Sequence, residues 1–527
     1  MLVGCLPAPS AATIILVALL RLRLDTRALW RLGSKRYLRV VGDWRVRLGR
    51  KSEQVPPLAG AEAARDASRA ASDVRVAHRF VDRIAEARAG LGRFFINRDY
   101  TLFMIGAFVS ATGSWAQSVA IGWLVLDLGN STFLLGVTSF AQMAPLLLFG
   151  FPAGAIIDRF DRRTCLLIAQ VGAMASMTIL AVTAATGKIT IPLILVLAVI
   201  GGLFNALLWP TWSVFIKDLV GPEHLRAAIA LNTARFNLTR VIGPAIAGVV
   251  MASYGAAACL GLAAVSALGV IFAILAIKPR PFVPGPTRPW LRSLGEALAY
   301  AYHEPRVREL LLLTSAIGLL AMPYQAFLPA IARDSLGVGP EGLGLLLTAV
   351  GCGALVGAVL SGSARAARGP ERFMAACAVI AGISLIGVAA ARSLQLAMIA
   401  LAVVGFSSIG YLAVANATLQ LAVRDDIAGR IMGLWTVVTA GVTPVGSLVI
   451  GAGAESFGLA AALASAGVGC AALGVLAAWR ERANRLSWAA GTRPPVGRGL
   501  AVGVYTQDEE PLTPHSAAHG GPDSDKA

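Results

Sequence analysis

The chain has 527 residues, of which 56% are apolar and only 14% charged, and its mean hydropathy is +0.70. Soluble globular proteins carry about 25% charged residues, so this composition excludes an ordinary soluble protein and favours one that crosses a membrane many times. The formal net charge is +17, but the lysines and arginines lie between apolar runs and in the terminal regions, not in one basic domain. This distribution is typical of membrane orientation. We therefore expect a lipid bilayer around the protein and no nucleic-acid partner.

Residues 1–97, which precede the first long apolar run, are rich in alanine and arginine. The apolar stretch 11–20 is too short to cross a bilayer, and no basic residue precedes it as in a secretory signal peptide. We expect a cytoplasmic N-terminal extension that is poorly ordered or partly helical. A start codon assigned too far upstream explains the same composition, so whether this region is translated stays open.

Twelve apolar runs follow in chain order. A transmembrane helix needs about 20 predominantly apolar residues, and glycine and proline are tolerated inside such helices. The runs predict an all-α membrane protein with twelve transmembrane helices. They lie at roughly 101–126, 133–157, 164–186, 190–216, 228–251, 255–277, 309–332, 341–363, 372–391, 394–423, 430–452 and 458–479.

Lysine and arginine are concentrated in alternate loops between these runs. One set of loops includes the stretches 159–163 and 278–308, whereas the opposite set holds only Lys188, Arg333 and Arg392. Positively charged loops stay in the cytoplasm. Both termini are therefore expected to be cytoplasmic, in a multi-pass protein of the cell inner (plasma) membrane.

A proline-rich segment at 278–290 separates the first six runs from the last six. An offset of 204 residues aligns Gly201 with Gly405 and Arg226 with Arg430. Similarity between six-helix halves is typical of a duplicated transporter fold, so two pseudo-symmetric six-helix halves are predicted. The predicted regions are the extension 1–97, an N-terminal half 98–278, a cytoplasmic linker 279–308 with a short interfacial helix, a C-terminal half 309–480 and a disordered tail 481–527.

The charged stretch GAIIDRFDRR, residues 154–163, lies between the second and third runs. It resembles the Gly-x-x-x-Asp-Arg-x-Gly-Arg-Arg signature found at this place in the major facilitator superfamily, although Asp161 stands where the signature has glycine. Aspartate tolerates a left-handed backbone better than most residues, so we expect the turn to survive. The matching residues are Gly154, Asp158, Arg159, Arg162 and Arg163.

The resemblance implies that this stretch is a cytoplasmic gating loop that latches the two halves together in the outward-facing state. In that role Asp158 accepts hydrogen bonds from a helix N-terminus in the other half. The alternative is that the arginines only set the topology.

The fifth run contains RVIGPAIAG, residues 240–248, which resembles the Gly-Pro core of the antiporter-associated motif of the same superfamily. Gly243, Pro244 and Gly248 match, whereas Ala247 replaces a glycine. Proline removes a helix hydrogen bond and bends the span. The resemblance implies an antiporter, and the alternative is an ordinary kinked membrane helix.

Two arginines lie inside this run, where a charge is costly and usually faces the bundle interior or a wet cavity. We expect Arg235 to extend toward the cytoplasm. Arg240, about 8 Å further along the helix, is the candidate for an anion-attracting cavity residue, with a structural arginine bonded to backbone carbonyls as the alternative. Further cavity candidates, for which helix packing is the alternative, are Gln117, Ser114, Asn205, Trp209, Tyr411 and Asn416.

Residues that other mechanisms require are missing from the sequence. It has no Gly-x-x-x-x-Gly-Lys-Ser/Thr phosphate loop, no metal or disulfide spacing among its six cysteines and no paired catalytic acids. We therefore expect no enzyme, no metal, no cofactor and no ATP drive. No acidic residue lies clearly in mid-membrane, so the residues themselves do not indicate a proton-coupling site.

The stretches 157–163 and 240–248 look like those of the efflux branch of the superfamily, which holds the enterobactin exporter and macrolide efflux pumps. The resemblance implies a secondary active transporter that exports a small organic molecule, drug-like or siderophore-like, by alternating access and proton antiport, as a monomer. One alternative is an importer or lipid facilitator of the same fold. Another is a membrane sensor or scaffold that does not transport.

Overall fold

The structure, a computed structural model, describes residues 97–278, 290–362, 369–424 and 426–489. The predicted extension, apart from its last residue, lies outside this part of the chain. So do most of the proline-rich segment and the tail beyond residue 489. The described residues are almost all helical and include no β-strand.

The first half consists of four helices. They are α1 (Arg98–Gly129), α2 (Thr132–Arg159), α3 (Arg162–Ala185) and α4 (Ile191–Ala276). The 86-residue α4 is interrupted at Gly221 (φ 71°) and Gly255 (φ 76°), so it consists of a first, a middle and a last segment. Glycine reaches positive φ at little cost, which lets the chain change direction at both residues.

The second half begins with α5 (Trp290–His303), which lies in the predicted linker, and contains broken as well as continuous helices. Two π-helical turns, Ile331–Ser335 and Val437–Gly441, directly follow the short helices α7 (Tyr324–Ala330) and α11 (Ala428–Thr436). The remaining helices are α6 (Pro305–Leu320), α7 (Tyr324–Ala330), α8 (Pro340–Ser361), α9 (Pro370–Ala390), α10 (Leu394–Ala422), α11 (Ala428–Thr436), α12 (Val442–Phe457) and α13 (Leu459–Ala489).

Ten segments of the described chain are long and apolar enough to cross a membrane. One of them, Ala227–Ala276, has 50 residues and contains the break at Gly255, so it is long enough for two crossings. Helix α1 has 32 residues but is not among the ten, because Ser110, Ser114, Gln117 and other polar side chains lower its apolar character. The chain is an all-α, multi-pass membrane protein, and a count of twelve spans requires α1 to cross as well.

Each half is held together by its own helix packing, and the two halves meet along two main helix pairs. In the first half α1, α2 and α3 pack on α4, and in the second α8 and α9 pack on α10. Between the halves, α2 packs on α12 and the middle segment of α4 packs on α8. We call the end that carries Asp161 and Arg430 the predicted cytoplasmic end, and the end that carries Asn130 and Arg333 the predicted outer end.

Candidate functional site

The middle segment of α4 lies between α1 of its own half and α8 of the other half. A Cβ atom at Gly243 would overlap the Trp115 ring of α1. A Cβ at Gly248 would lie 3.0 Å from the Gly344 Cα of α8, and one at Gly344 would lie 2.7 Å from the Pro244 carbonyl oxygen. Such close approach between helices needs residues without large side chains. The 240–248 stretch is thus a contact between the two halves.

Pro244 shapes this contact through the backbone. Proline has no N–H group, so the Arg240 carbonyl one turn earlier lacks its helical hydrogen-bond donor. Gly351 of α8 packs onto that carbonyl, since a Cβ at this position would lie 2.5 Å from the Arg240 oxygen. The Thr348 hydroxyl, one turn before Gly351 on α8, donates a hydrogen bond of 3.3 Å to the Val241 carbonyl.

The Arg240 side chain crosses toward a break in the second half. Its guanidinium lies within electrostatic range of the Tyr324 hydroxyl. Tyr324 is only 1% exposed and starts α7, directly after the non-helical Ala321–Pro323 that separates α6 from α7. The Gln325 amide donates to the Tyr324 hydroxyl at 3.5 Å. The Arg240 Nε is buried and has no hydrogen-bond partner among the described residues.

Gln117 of α1 lies at the depth of Tyr324. Gly122 packs against Pro329 of α7, because a Cβ there would lie 2.7 Å from the proline Cγ. Gln117 lies five residues before Gly122 on α1, and Tyr324 lies five residues before Pro329 on α7. At about 1.5 Å per residue, Gln117 is therefore level with Tyr324. Since Gly243 lies opposite Trp115, Gln117 and Tyr324 are about 7.5 Å further toward the predicted outer end than the Arg240 backbone. We call Arg240, Gln117, Tyr324 and Gln325 the central cluster.

Arg235 is bound to acceptors inside the first half. Its Nη1 donates to the Ala107 carbonyl at 2.9 Å, and its Nε and Nη2 contact the Asn232 Oδ1 at 3.3 and 3.1 Å. The guanidinium also lies 5.4 Å from the centre of the Trp212 ring. Ala107 is about 14 Å along α1 from its first residue. These acceptors inside the first half satisfy the charge. Asn232 lies one turn nearer the predicted cytoplasmic end than Arg235, and an extension of the side chain as far as the cytoplasm stays a prediction.

The other predicted cavity residues are spread over several environments. Ser114 is exposed and donates to the Ser110 carbonyl at 3.1 Å, and Asn205 donates to the Gly201 carbonyl at 3.0 Å. Trp209 is 56% exposed, with its ring edge-on to Phe236 at 6.4 Å.

Two predicted cavity residues lie on α10. The Asn416 Oδ1 accepts from Gln420 at 2.6 Å. Tyr411 is 3% exposed, and its hydroxyl lies 3.3 Å from the Thr314 hydroxyl. Tyr411 therefore lies inside the second half in this conformation, and we leave it out of the site.

At the predicted outer end, polar contacts join the halves. Glu455 at the end of α12 accepts hydrogen bonds from the Ser131 hydroxyl at 3.1 Å and the Phe133 N–H at 3.4 Å, at the start of α2. A carboxylate at a helix N-terminus is stabilising because it meets free N–H groups and the positive end of the helix dipole. Arg333 donates to the Asn130 side chain at 2.7 Å and lies 3.7 Å from Asp127.

The predicted gating loop is tied to its own half. Arg162 forms an ion pair with Asp218 at 2.7 Å, and Arg163 donates to the Ile274 carbonyl at 3.1 Å near the end of α4. Asp161 has φ −57° and ψ 123°, so it is not left-handed. Instead it caps α3 by accepting from the Thr164 N–H at 3.0 Å. Position 161 therefore needs no glycine.

The other three matching residues of this loop are Gly154, Asp158 and Arg159. Arg159 is exposed, and the surroundings of Gly154 and of the Asp158 side chain lie outside what the structure describes. The latch that the resemblance implies stays a prediction.

Sequence reasoning missed Tyr324, Gln325 and Glu455. The signal for the first two was the Met-Pro pair at 322–323 inside an apolar run, since an interrupted span in a transporter is a pointer to a binding site. Glu455 had no such signal, because its partner is the start of a helix more than 300 residues away.

Solved structures of known transporters have the same fold as this protein. Two solved structures with this fold are the nucleoside transporter NupG and a bacterial homologue of the human lysosomal transporter Spinster, the latter inward-facing and unoccupied. NupG is 12% identical with a TM-score of 0.60 over 72% of this chain and 98% of its own. The Spinster homologue is 15% identical with a TM-score of 0.56 over 72% of this chain and 94% of its own.

Sequence relatives are transporters. The staphyloferrin A transporter of Staphylococcus aureus is 24% identical over 68% of this chain and 90% of its own length. The multidrug efflux pump Tap of Mycolicibacterium fortuitum is 25% identical over 74% of this chain and 97% of its own. The enterobactin exporter EntS of Shigella boydii is 27% identical over 71% and 89%. The model of the transmembrane secretion effector family matches residues 95–488, and the chain therefore belongs to that family of major facilitator superfamily transporters.

Proposed function

We propose that this protein exports a small organic molecule by alternating access, using the central cluster between its two halves as the binding site. The observation that carries the proposal is the position of the cluster. Polar or charged side chains from helices of both halves lie within about two helical turns of one another, beside the break between α6 and α7. Broken helices near mid-membrane supply binding sites in secondary transporters. The relatives named as an efflux pump and an exporter support the outward direction.

The distribution of contacts between the halves supports loading from the predicted cytoplasmic side. Close contacts begin at Glu455 and Arg333 at the predicted outer end and continue inward as far as Gly441 against Leu147 and Gly351 against Arg240, near the middle of their helices. Toward the predicted cytoplasmic end, α2 still contacts α5 and α11 of the second half. A substrate would then reach the cluster from the cytoplasm while the outer contacts stay closed.

Release outward requires the outer contacts to break and the cytoplasmic ends to approach each other. In the proposed cycle the gating loop, with Gly154, Asp158, Arg159, Arg162 and Arg163, then stabilises the outward-open state. Such a loop shifts a population and touches no substrate.

We propose further that a proton gradient drives this cycle in the inner membrane, with both termini cytoplasmic. The antiporter-like residues Gly243, Pro244 and Gly248 support this through the family motif. Their packing lets the middle segment of α4 form the contact that must open and close.

The proposal is tested by flux in membrane vesicles of opposite orientation. Inverted and right-side-out vesicles with the protein receive a neutral, an anionic and a cationic fluorescent dye, with vesicles lacking the protein as controls. We expect at least one dye to accumulate in energised inverted vesicles only, with loss of accumulation on adding a protonophore.

Asp158→Asn should lower this flux without preventing membrane insertion. Accumulation only in right-side-out vesicles would indicate an importer. No protein-dependent movement of any dye would contradict transport.

A further inference from the structure

Arg235 and Arg240 lie five residues apart on one helix, yet their surroundings differ completely. Arg235 has two side-chain or backbone oxygen acceptors and an aromatic ring within contact distance. Arg240 has no hydrogen bond to any described residue, and its Nε is buried. Arg240 is a half-buried residue inside a membrane span, where a charge without acceptors is costly, so it is unlike a residue kept for structure alone.

Charge does not compensate for the missing hydrogen bonds. The described carboxylates of the first half lie toward the helix ends, from Asp99 and Asp127 of α1 to Asp218 and Glu223 of α4. In the second half the carboxylate nearest in sequence to α7 is Asp334, which binds Arg333 at the predicted outer end. The described residues therefore give Arg240 no acidic partner at its own depth.

Every neighbour of Arg240 in the central cluster can donate a hydrogen bond. The Gln325 amide donates to the Tyr324 oxygen, so the Tyr324 hydroxyl hydrogen remains free for another acceptor. Gln117, which is level with Tyr324, has no hydrogen bond to a described residue and carries an amide with two donors. Trp115, packed on Gly243 one turn from Arg240, adds an aromatic surface.

From this arrangement we propose that the substrate is an organic anion whose carboxylate binds Arg240, with Tyr324 and Gln117 as further donors and its apolar part near Trp115. The planar guanidinium matches a carboxylate with two parallel hydrogen bonds. An ammonium group at the same place would meet a like charge and no acceptor. This inference rests on the proposed function, because it assigns a substrate class to the same site.

The test measures equilibrium binding by calorimetry on the purified protein in lipid nanodiscs. Three probes of equal size differ only in charge: 2-naphthoate, neutral 2-naphthamide and cationic 2-naphthylmethylammonium. We expect 2-naphthoate to bind about tenfold more tightly than the other two, because only it can pair with the buried cation.

Substitutions test whether Arg240 causes the preference for the anionic probe. Arg240→Gln should weaken 2-naphthoate binding about tenfold or more and change 2-naphthamide binding little, whereas Arg240→Lys should restore part of the loss. Lys188→Gln, which removes an exposed cation at a loop, is the charge-matched control and should leave all three affinities unchanged. Should Arg240→Gln fail to fold, Tyr324→Phe should still weaken 2-naphthoate selectively.

Equal affinity for the three probes, no binding of 2-naphthoate to folded protein, or unchanged 2-naphthoate binding in Arg240→Gln would each overturn the inference. Because binding is measured without flux, loss of the charge preference leaves the vesicle result standing. Failure of export in vesicles likewise leaves the binding result standing.

Discussion

At the scale of single residues, the two arginines of the fifth span have different tasks. Arg235 joins α4 to α1 through the Ala107 carbonyl and to Trp212 through a cation–π contact. We predict that Arg235→Gln lowers the free energy of unfolding by about 1.5–3 kcal/mol, the range for hydrogen bonds to charged groups. Arg240→Gln should cause no comparable loss, because no described residue is hydrogen-bonded to Arg240. Thermal unfolding of both variants in the same detergent checks this, and equal destabilisation by the two would contradict it.

The sequence places both arginines inside the membrane but does not distinguish their tasks. Hydropathy and helical rise locate each residue along its own helix. They contain nothing about the carbonyl of Ala107, which lies 128 residues earlier in the chain. The same limit explains Tyr411, whose burial depends on Thr314 in a helix 97 residues away. Long-range partners decide whether a polar side chain in a span is packed or available.

At the scale of elements, the start of α2 is held by a carboxylate from the other half. Glu455→Gln removes the negative charge from this helix N-terminus, so contacts at the predicted outer end should weaken. We predict that a cysteine introduced at Ser139, which faces Ser447 at 3.2 Å between the halves, then reacts about two- to fivefold faster with a membrane-impermeant maleimide. The exposed Cys352 is first replaced by serine.

The control for this prediction is Glu371→Gln, which removes an exposed carboxylate at the predicted cytoplasmic end. It should leave the labelling rate at position 139 unchanged. Equal rates in the Glu455 and Glu371 variants would mean that the outer contact does not hold the halves together.

The helical elements follow well from the sequence, while their π-helical turns do not. Apolar length predicted segments such as Pro340–Ser361 and Pro370–Ala390 because a span needs little more than about 20 apolar residues. The break at Ala321–Pro323 has a sequence signal in its proline, but the π-helical turns depend on packing between helices, for example Gly441 against Leu147. Such tertiary contacts have no signature in the hydropathy of one span.

At the scale of the whole molecule, the account requires the two halves to move as units about the central cluster. Gly351 sits on the Arg240 carbonyl, so a methyl group at position 351 should force α8 away from α4 and favour opening at the predicted outer end. Gly261→Ala is a matched control in the last segment of α4, because a Cβ there has no atom within 4 Å.

The most direct test measures both ends by pulsed electron paramagnetic resonance. One pair of spin labels, at the exposed positions Lys188 and Arg392, reports on the predicted outer end. A second pair, at the exposed positions Lys217 and Arg424, reports on the predicted cytoplasmic end. Gly351→Ala should lengthen the outer distance and shorten the cytoplasmic distance together, whereas Gly261→Ala should change neither. An outer distance that lengthens while the cytoplasmic distance stays fixed, or no change at either end, would contradict alternating access.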